Sequence, residues 1–496
     1  MGALAVRSLQ SKFIRGIFFV AAVLAAFVCI GFSPTAPAAD SNAEMWAGVA
    51  VVDITPPVPY RMSGYFSERL STGVHDALKA KAIVLSQGDC QAALVFCDII
   101  GISPGLAKQA RRLAEEKTGI PAANIAIAAT HSHTGPLYFG ALRERFHRKA
   151  VAEHGNDPCE KTDYPAELVK KLAGVIADAK SAAAPVTLAA GVAEQKGLAF
   201  NRRFHMKSGP VRFNPGVLNP DIVRPAGPID PDVGILLVRS AAGDRPMASL
   251  TVFALHLDTT GGTLYSADYP YYLAEALHKE FGEKFVSMFG AGTCGDINHI
   301  DVTQRKRNKP NEIGETLAAT VKAEVPKLKK VTPSLAVRRE IVDAPLQKYS
   351  KEEIAQAKAG MEKVASGKVP FLERVKAYKI MALQSRGGET IPIEVQVFRL
   401  GNEVAIVTLP GEVFVDLGLE IKRASPFANT IVIELANDAP GYLPTRKAFL
   451  EGSYETVNSR IAPGGGELMT AAAIRLLKQQ TTKEGAPAPG PSRGRH

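Results

Sequence analysis

Two histidines separated by a single residue are the first feature of this chain that could do chemistry. An apolar run, residues 125–129, leads through Thr130 to His131 and His133, and a glycine and a proline follow. In an extended chain, side chains two residues apart point to the same side, so both imidazoles are predicted to face one space. Neutral imidazole is the commonest metal ligand, and functional sites are often built where strands end. The pair indicates a metal site, although two neighbouring histidines alone do not require one.

Two further residues could complete such a site. His256 lies at the end of the apolar run 248–257, and Glu412 follows a Pro-Gly turn after the apolar run 405–408. Each also has an ordinary explanation. His256 could be a satisfied core or turn residue, and Glu412 could stabilise the start of a helix predicted over 413–422 through the helix dipole. Two histidines and one carboxylate, with a position left for water, form a ligand set of catalytic zinc.

A glycine-rich segment, residues 290–299, carries a third group of candidates. Its small residues allow close approach of the backbone, and their N–H groups could bind an oxyanion. Asp296, Asn298 and His299 would then support metal ligands or contact the substrate. The alternative is a glycine-rich turn without a function.

Strands and helices alternate along the chain without an internal repeat, and these elements must position the candidate residues. Strands are predicted at residues 48–57, 80–85, 92–99, 125–129, 186–192, 234–239, 248–257, 284–290, 394–400, 403–409 and 430–435. Helices are predicted at residues 106–117, 164–183, 271–281, 313–325, 351–366, 413–422 and 467–479. The fold class is α/β or α+β: one large domain, residues 46–479, with mixed β-sheets flanked by helices. The mostly helical stretch 346–389 is predicted to be an insertion over one face.

The first 38 residues have the pattern of a secretory signal peptide. Arg7, Lys12 and Arg15 precede an apolar run at residues 17–32, and small residues follow at 36–38. The apolar run has about 16 residues, fewer than the ~20 that span a bilayer, so cleavage is favoured over an uncleaved anchor. The pattern predicts export, to the periplasm or the exterior.

The charge and cysteine patterns exclude two classes of function. The net charge is +10, or about +7 without the three basic residues of the signal. The remaining basic clusters have no interleaved aromatic residues, so no nucleic-acid partner is predicted. The four cysteines beyond the signal have no C-x-x-C spacing, which argues against a thiolate zinc site and favours buried free thiols. Residues 480–496, rich in Pro, Gly and basic residues, are predicted to be a disordered tail.

Together, these motifs resemble the neutral (non-lysosomal) ceramidases. The similarity extends over residues 46–478, and the two-histidine and Pro-Gly-Glu segments are its most specific parts. The motifs that carry it, in the family's order, are residues 53–57, 72–78, 130–136, 201–202, 295–296, 409–412 and 441–445.

The resemblance implies one zinc ion and assigns each site residue a role. In the family two histidines, a glutamate and a tyrosine hold the zinc, and the matching positions are His131, His256, Glu412 and Tyr442. His133 matches a residue near the reacting amide, Arg202 a substrate-side arginine, and Tyr454 a further tyrosine that precedes a glutamate. With Asp296 from the Gly-Asp motif, these form the predicted catalytic set.

The chain departs from the ceramidase pattern in two places. In the ceramidases a serine near the Gly-Asp motif takes part in the amide chemistry. Counting back from Asp296, the matching position in this chain is Gly292, and the register does not favour Thr293 or Cys294 as a substitute. The immunoglobulin-like domain that follows the ceramidase catalytic domain is not expected either, because the predicted tail begins where that domain would start.

The resemblance implies an exported zinc-dependent hydrolase, an amidase that cleaves the N-acyl linkage of ceramide or a ceramide-like lipid. Peripheral contact with a membrane surface would accompany a lipid substrate. Two alternatives stay open: a zinc hydrolase of a polar amide or ester such as an acylated sugar, and a non-catalytic lipid- or carbohydrate-binding relative. The sequence leaves the oligomeric state open.

Overall fold

The structure, a computed structural model, describes residues 44–363 and 369–481. For residues 362 and 363 it describes the backbone only. The predicted signal peptide lies outside these residues, as does the predicted tail beyond Thr481. Within the described ranges no helix has the length and apolar character needed to cross a membrane.

The strands alternate with helices as the sequence predicts. The strands are β1 (Trp46–Asp53), β2 (Gly73–Val74), β3 (Lys79–Gln87), β4 (Cys90–Cys97), β5 (Ile125–Ala129), β6 (Ala184–Glu194), β7 (Phe200–Asn201), β8 (Arg203–Met206), β9 (Val211–Phe213), β10 (Ile222–Pro225), β11 (Asp232–Ser240), β12 (Pro246–Phe253), β13 (Leu264–Tyr265), β14 (Val286–Ala291), β15 (Ile297–Asn298), β16 (Lys329–Lys330), β17 (Leu335–Pro345), β18 (Thr390–Leu400), β19 (Val404–Thr408), β20 (Glu412–Val413), β21 (Asn429–Ile433) and β22 (Tyr442–Leu443).

The helices range from one turn to five. They are α1 (Pro104–Thr118), α2 (Gly140–His154), α3 (Tyr164–Ser181), α4 (Tyr269–Phe281), α5 (Pro310–Glu324), α6 (Lys351–Lys363), α7 (Phe371–Arg386), α8 (Val415–Ala424), α9 (Arg446–Glu451), α10 (Tyr454–Asn458) and α11 (Gly465–Thr481). The ends of α1 show how sequence sets such boundaries. The Ser103 hydroxyl accepts a hydrogen bond from the Leu106 N–H, and Gly119 ends the helix at φ 72°.

Two mixed sheets form the centre of the fold. The larger has the order β14-β12-β11-β6-β1-β3-β4-β5, with β16 paired to β6, and the smaller has the order β17-β18-β19-β21. Most neighbours are antiparallel, but β4–β5, β12–β14 and β19–β21 run parallel. The larger sheet curls until β14, at one end of the strand order, contacts β4 and β5 at the other.

The side-chain pattern shows that the sheets pack face to face between two layers of helices. Along β4, Val95 and Cys97 enter the core that α1 and α3 cover, whereas Leu94 and Phe96 enter a core shared with the smaller sheet. Alternate residues of β19 divide in the same way between the shared core and the core beneath α8 and α11. A strand buried on both faces needs a continuous apolar run, which explains why these strands were predictable. The mixed α/β fold class is confirmed.

The helical insertion predicted at 346–389 is a pair of helices between adjacent antiparallel strands. Strands β17 and β18 pair without interruption from Leu335 opposite Leu400 to Pro345 opposite Thr390, and α6 and α7 connect their ends. This helical hairpin, α6 and α7, extends from one end of the smaller sheet, and α7 forms part of the wall of the candidate site.

Several predicted boundaries need correction. The strand before His256 ends at Phe253, so His256 lies in a loop rather than at the strand end. Helix α8 begins at Val415, which leaves Glu412 on the short strand β20 instead of at a helix terminus. Helix α2 had no sequence prediction, because its many charged residues obscure an apolar face. Helix α11 runs to Thr481, into the segment predicted as a disordered tail.

Candidate metal centre and active site

The candidate metal ligands follow strands that belong to the parallel pairs of both sheets. His131 follows β5 and His256 follows β12 in the larger sheet, and Glu412 follows β19 in the smaller one. The segment after β21 holds these ends together, since the Glu434 N–H donates to the Ala291 carbonyl and the Leu435 carbonyl accepts from the Ala129 N–H. Loops at the carboxyl ends of strands therefore converge from three places in the sequence.

His131 is held in a strained conformation. Its φ is 81°, in the left-handed region that a non-glycine residue adopts only when its surroundings impose it. Its N–H donates to the Ile99 carbonyl, and its Nδ1 lies 2.7 Å from the Ile100 carbonyl. The expected extended geometry of residues 131–133 is thus wrong, although the rings of His131 and His133 still converge, with centroids 4.9 Å apart.

The donor atoms of His131, His256 and Glu412 meet at one point. The two Nε2 atoms are 3.0 Å apart, and Glu412 Oε2 lies 3.5 Å from His131 Nε2 and 3.8 Å from His256 Nε2. Nitrogen ligands at zinc distances in a tetrahedral site would be about 3.3 Å apart. The spacing of the three atoms therefore fits a single metal ion.

The hydrogen bonds of the ring nitrogens favour a cation between these atoms. Each Nδ1 faces a backbone carbonyl, Ile100 for His131 and Cys294 for His256 at 3.4 Å, so each Nδ1 is the protonated nitrogen. Both Nε2 lone pairs then face each other and the carboxylate. Glu412 Oε2 is buried and has no hydrogen-bond partner among the described residues. A metal ion would remove this repulsion and satisfy all three atoms.

His133 belongs to the same buried group. His131, His133 and His256 each offer a ring nitrogen within 4.8 Å of the others, and this triad could bind a metal. Neither ring nitrogen of His133 has a hydrogen-bond partner among the described residues, but its Nδ1 lies 3.6 Å from Asp258 Oδ1. The Tyr65 hydroxyl donates to the same oxygen. Burial lowers the pKa of His133 to about 4, so its ring is neutral at pH 7. Sequence reasoning missed Asp258, although it stands two residues after His256.

Glu412 and Tyr442 face each other across a two-stranded parallel ribbon. They are register partners in the parallel pairing of β20 with β22. Burial, together with the neighbouring Glu412, raises the pKa of Tyr442 well above its usual value. The phenol is therefore placed beside the candidate ligands in its protonated form.

Arg202 connects the tyrosines to a buried carboxylate. Its Nη2 donates to the Tyr442 hydroxyl at 3.0 Å and to the Gly295 carbonyl at 2.8 Å, and its Nε donates to Glu455 at 2.8 Å. The guanidinium also lies over the Tyr442 and Tyr454 rings, 5.5 and 5.9 Å from their centroids. Arg202 does not line the cavity described below, so these contacts fit a residue that orients the tyrosines.

Asp296 stands apart from the other predicted residues. Its Oδ1 accepts from the Val415 N–H at the start of α8, and its Oδ2 accepts from the Asn201 amide, both at 2.9 Å. It does not line the cavity. The catalytic role stays a prediction, and the contacts favour a role in holding α8 against the loop that carries Arg202.

The buried carboxyl of Asp296 should make stability depend on pH. Burial raises its pKa from 3.8 to about 6. Its contribution is complete below about pH 4 and is lost as the pH rises through about 6. We expect the free energy of unfolding of wild type, relative to Asp296→Asn, to fall by roughly 2–3 kcal/mol between pH 4 and pH 7. Urea titrations across this range test it, and a difference independent of pH would contradict it. The wild type and the variant keep the same candidate metal ligands, so protonation of those ligands does not contribute to the difference in free energy of unfolding.

Gly292, where the ceramidase serine was expected, has no room for a side chain. A Cβ there would lie 2.9 Å from the Ala254 N and 3.0 Å from the Phe253 carbonyl carbon. Thr293 packs against Gly418 of α8, and the Cys294 thiol donates to Glu434. The segment therefore contributes no side-chain nucleophile to the cavity.

Glu434 is a functional candidate that sequence reasoning missed. It is fully buried, and besides the Cys294 thiol it accepts from the N–H groups of Cys294 and Val413. These bonds fix the residue next to Glu412 and the residue whose carbonyl faces His256. A charged residue at the end of the apolar run 430–435 was the available signal. The four cysteines of the described ranges are free thiols, but only Cys97 and Cys294 are buried, whereas the sequence predicted a mostly buried set.

A cavity of about 240 Å³ adjoins the candidate metal centre. His131, His133 and Glu412 line it together with Tyr442 and Tyr454. Much of the remaining wall is apolar or aromatic and includes Tyr65, Phe66, Leu137, Phe139, Leu142 and Leu435. The arrangement places hydroxyl and imidazole groups where an apolar ligand with a polar centre could be held.

A second cluster with suitable residue types is not a metal site. His147, Asp157 and Glu160 lie within 4.8 Å of one another. Arg61 contacts both carboxylates, at 2.6 and 3.1 Å, and Arg143 pairs with Glu160. Two guanidinium groups already occupy the oxygens that a cation would need.

Comparison with solved structures defines the fold class: the chain is folded like a neutral ceramidase. Neutral ceramidase from Pseudomonas aeruginosa superimposes with a TM-score of 0.65 at 18% identity, covering 90% of this chain and 77% of that chain. A ceramidase complexed with C2 gives the same TM-score and coverage at 19% identity. No family model matches the sequence, and no curated protein matches it. The resemblance predicted from the motifs is confirmed at the level of the fold.

Proposed function

We propose that the protein is an exported zinc-dependent hydrolase that cleaves the N-acyl amide bond of a ceramide-like lipid. The observation that carries the proposal is the convergence of three potential ligand atoms, His131 Nε2, His256 Nε2 and the unpartnered Glu412 Oε2, beside a cavity with many apolar and aromatic residues in its wall. Two imidazoles and a carboxylate are typical zinc ligands, and we propose Tyr442, the register partner of Glu412, as the fourth. Zinc bound there supplies a Lewis acid that polarises a carbonyl and acidifies water.

Water is the proposed nucleophile, because zinc at the centre would acidify it and the described lining offers no cysteine and a single aliphatic hydroxyl. Within the described residues, Ser63 is the sole lining residue with an aliphatic hydroxyl, and that hydroxyl donates to the Gly135 carbonyl. His133 is neutral, and Asp258 favours a proton on its Nδ1, so Nε2 can accept a proton from water and return it to the departing amine. The Tyr454 hydroxyl donates to the oxygen on which negative charge develops.

Two other functions compete with this proposal. A small polar amide or ester would not need the apolar and aromatic part of the wall, which includes Phe66, Leu137, Phe139, Leu142 and Leu435. A binding protein without catalysis would keep the fold but would have no need for a strained His131 and an unsatisfied Glu412 oxygen. These observations favour an enzyme.

The direct test is release of fatty acid from a panel of labelled ceramides beside a panel of N-acyl amino sugars, with and without chelator. We expect purified protein to contain about one zinc per chain and to release fatty acid from N-acyl lipids. Chelator should stop the reaction and added zinc should restore it. Protein that contains no zinc and cleaves neither panel would support a binding function instead. Cleavage confined to the sugars would support the polar-substrate alternative.

A further inference from the structure

Two cationic side chains, Lys379 and Arg460, line the same cavity as the candidate metal centre. Lys379 lies on α7 and is only 5% exposed, and Arg460 follows α10. Neither forms a salt bridge with any carboxylate of the described ranges. Asp438, the acidic residue that most affects Arg460, uses its Oδ1 to accept from the Ala439 N–H instead. The wall of the cavity thus holds two basic side chains, neither of which has a carboxylate of the described residues within salt-bridge distance.

The hydrogen bonds of these two residues leave donors free. The Lys379 ammonium has three N–H groups, and its acceptors are the neutral Tyr349 hydroxyl and, at 3.4 Å, the Gln347 amide oxygen. The Arg460 guanidinium has five N–H groups, and one of them donates to the Ala439 carbonyl at 3.4 Å. About five donors therefore remain for a ligand or for water.

Contacts fix the backbone at Arg460 and the side chain of Lys379. The Arg460 carbonyl accepts from the Gln347 N–H, and the preceding Ser459 hydroxyl donates to the Tyr442 carbonyl. Lys379 packs over the Tyr349 ring, 4.6 Å from its centroid. The backbone that carries Arg460 is thus bonded directly to the strand that carries Tyr442.

Charges in such a place are costly unless a ligand neutralises them. Desolvation, then Lys376 on the same helix and Arg460 across the cavity, lower the pKa of Lys379 to about 7, and only Glu353 of α6 acts in the opposite direction. A neutral lipid would cover the two residues without pairing them, whereas the oxygens of an anionic group could accept from their free donors.

We propose that the substrate is an N-acyl amphiphile with an anionic group, a carboxylate or a phosphate, which Arg460 and Lys379 bind while the amide lies at the candidate metal centre. The proposal rests on the function proposed above and narrows its substrate class. The apolar lining receives the acyl chain, and the two cations select the charged portion. Selectivity would then be set by the helical hairpin and the segment after α10, which do not contribute metal ligands.

The test compares matched compounds that differ in one anionic group. N-dodecanoylglycine is paired with N-dodecanoylglycinamide, and N-dodecanoyl-phosphoethanolamine with N-dodecanoylethanolamine, in a zinc-loaded dodecanoate-release assay. We expect the anionic member of at least one pair to have a kcat/KM about 10- to 100-fold higher. The pair that shows this preference distinguishes a carboxylate from a phosphate.

Variants connect the preference to the two residues. Arg460→Gln and Lys379→Met should each bring the anionic-to-neutral ratio of kcat/KM towards one, and Arg460→Lys should retain part of it. Lys348→Met is the matched control, since Lys348 is exposed and pairs with the exposed Glu389 at 3.0 Å. Arg475→Gln, at an exposed pair with Glu340, controls for loss of a guanidinium.

The two proposals can fail separately. Equal or better cleavage of the neutral compounds, or a preference that survives both substitutions, would overturn the anionic substrate and leave the hydrolase intact. If none of the four compounds is cleaved, calorimetric titration with the same compounds tests whether the cavity prefers the anionic member of each pair. Binding of an anionic compound at least tenfold tighter than its neutral partner, lost in Arg460→Gln, would support the inference. Equal binding would reject it.

Discussion

Replacing His131 by alanine is expected to abolish metal binding and to lower amide hydrolysis at least about 1000-fold. The loss should exceed the 10- to 100-fold typical when only a hydrogen-bond partner of a ligand is removed. His131 supplies one of three converging donor atoms, and its Nδ1 contact with Ile100 orients the Nε2 lone pair toward the others. Zinc content per chain and the rate of fatty-acid release are the measurements.

Two further variants sharpen this test. His154→Ala should change neither quantity, because His154 is exposed on α2 and has only a weak pair with Glu153 at 4.0 Å. His133→Ala should keep the zinc but lower the rate about 100- to 10,000-fold if the residue transfers a proton. Loss of zinc from His133→Ala would make His133 a ligand, and full zinc in His131→Ala would refute the proposed centre.

Replacing Glu455 by glutamine is expected to destabilise the fold by about 3–5 kcal/mol, although the two side chains have nearly the same shape. Glu455 is fully buried and accepts from Arg202 Nε at 2.8 Å and from Arg203 Nη1 at 3.3 Å. Glutamine removes the negative charge that compensates two buried guanidinium groups. Arg203 keeps its ion pair with Glu451, but Glu451 does not pair with Arg202. Chemical denaturation with linear extrapolation gives the difference in free energy of unfolding.

The control for this substitution is Glu340→Gln, at an exposed pair with Arg475. It should change the free energy of unfolding by less than about 1 kcal/mol, because exposed ion pairs contribute little. If Glu455→Gln unfolds at the wild-type denaturant midpoint, the buried network is not a source of stability. In that case the orientation of Tyr442 by Arg202 would also need another explanation.

The elements of the fold that could be predicted are those whose residue pattern is determined by a single physical rule. Continuous apolar runs indicated β5, β12 and β19, because strands of a sheet that is covered on both faces have no polar side. Helix α2 was not predicted because its single buried large apolar side chain, Phe146, leaves too little periodicity. The conformation of His131 could not be predicted, since a positive φ arises from tertiary contacts and not from local preference.

The candidate site was predictable in its residue types but not in its surroundings. His131, His256 and Glu412 carried recognisable motifs, and the structure brings them within contact of one another. Asp258, Glu434 and Arg460 had no motif, because their importance comes from partners distant in sequence. Glu434, for example, contacts Cys294, 140 residues away.

Because of the helical hairpin between β17 and β18, part of the cavity wall lies on a segment separate from the one that holds the candidate metal ligands. The strand ends that carry the candidate ligands are joined by backbone hydrogen bonds through Glu434 and Leu435, and the hairpin takes no part in them. It contributes instead Tyr378, Lys379 and Ala382 to the cavity wall. The proposed choice of substrate and the proposed metal chemistry therefore depend on separate parts of the chain, and the hairpin can diverge without disturbing the strand ends that carry the candidate ligands.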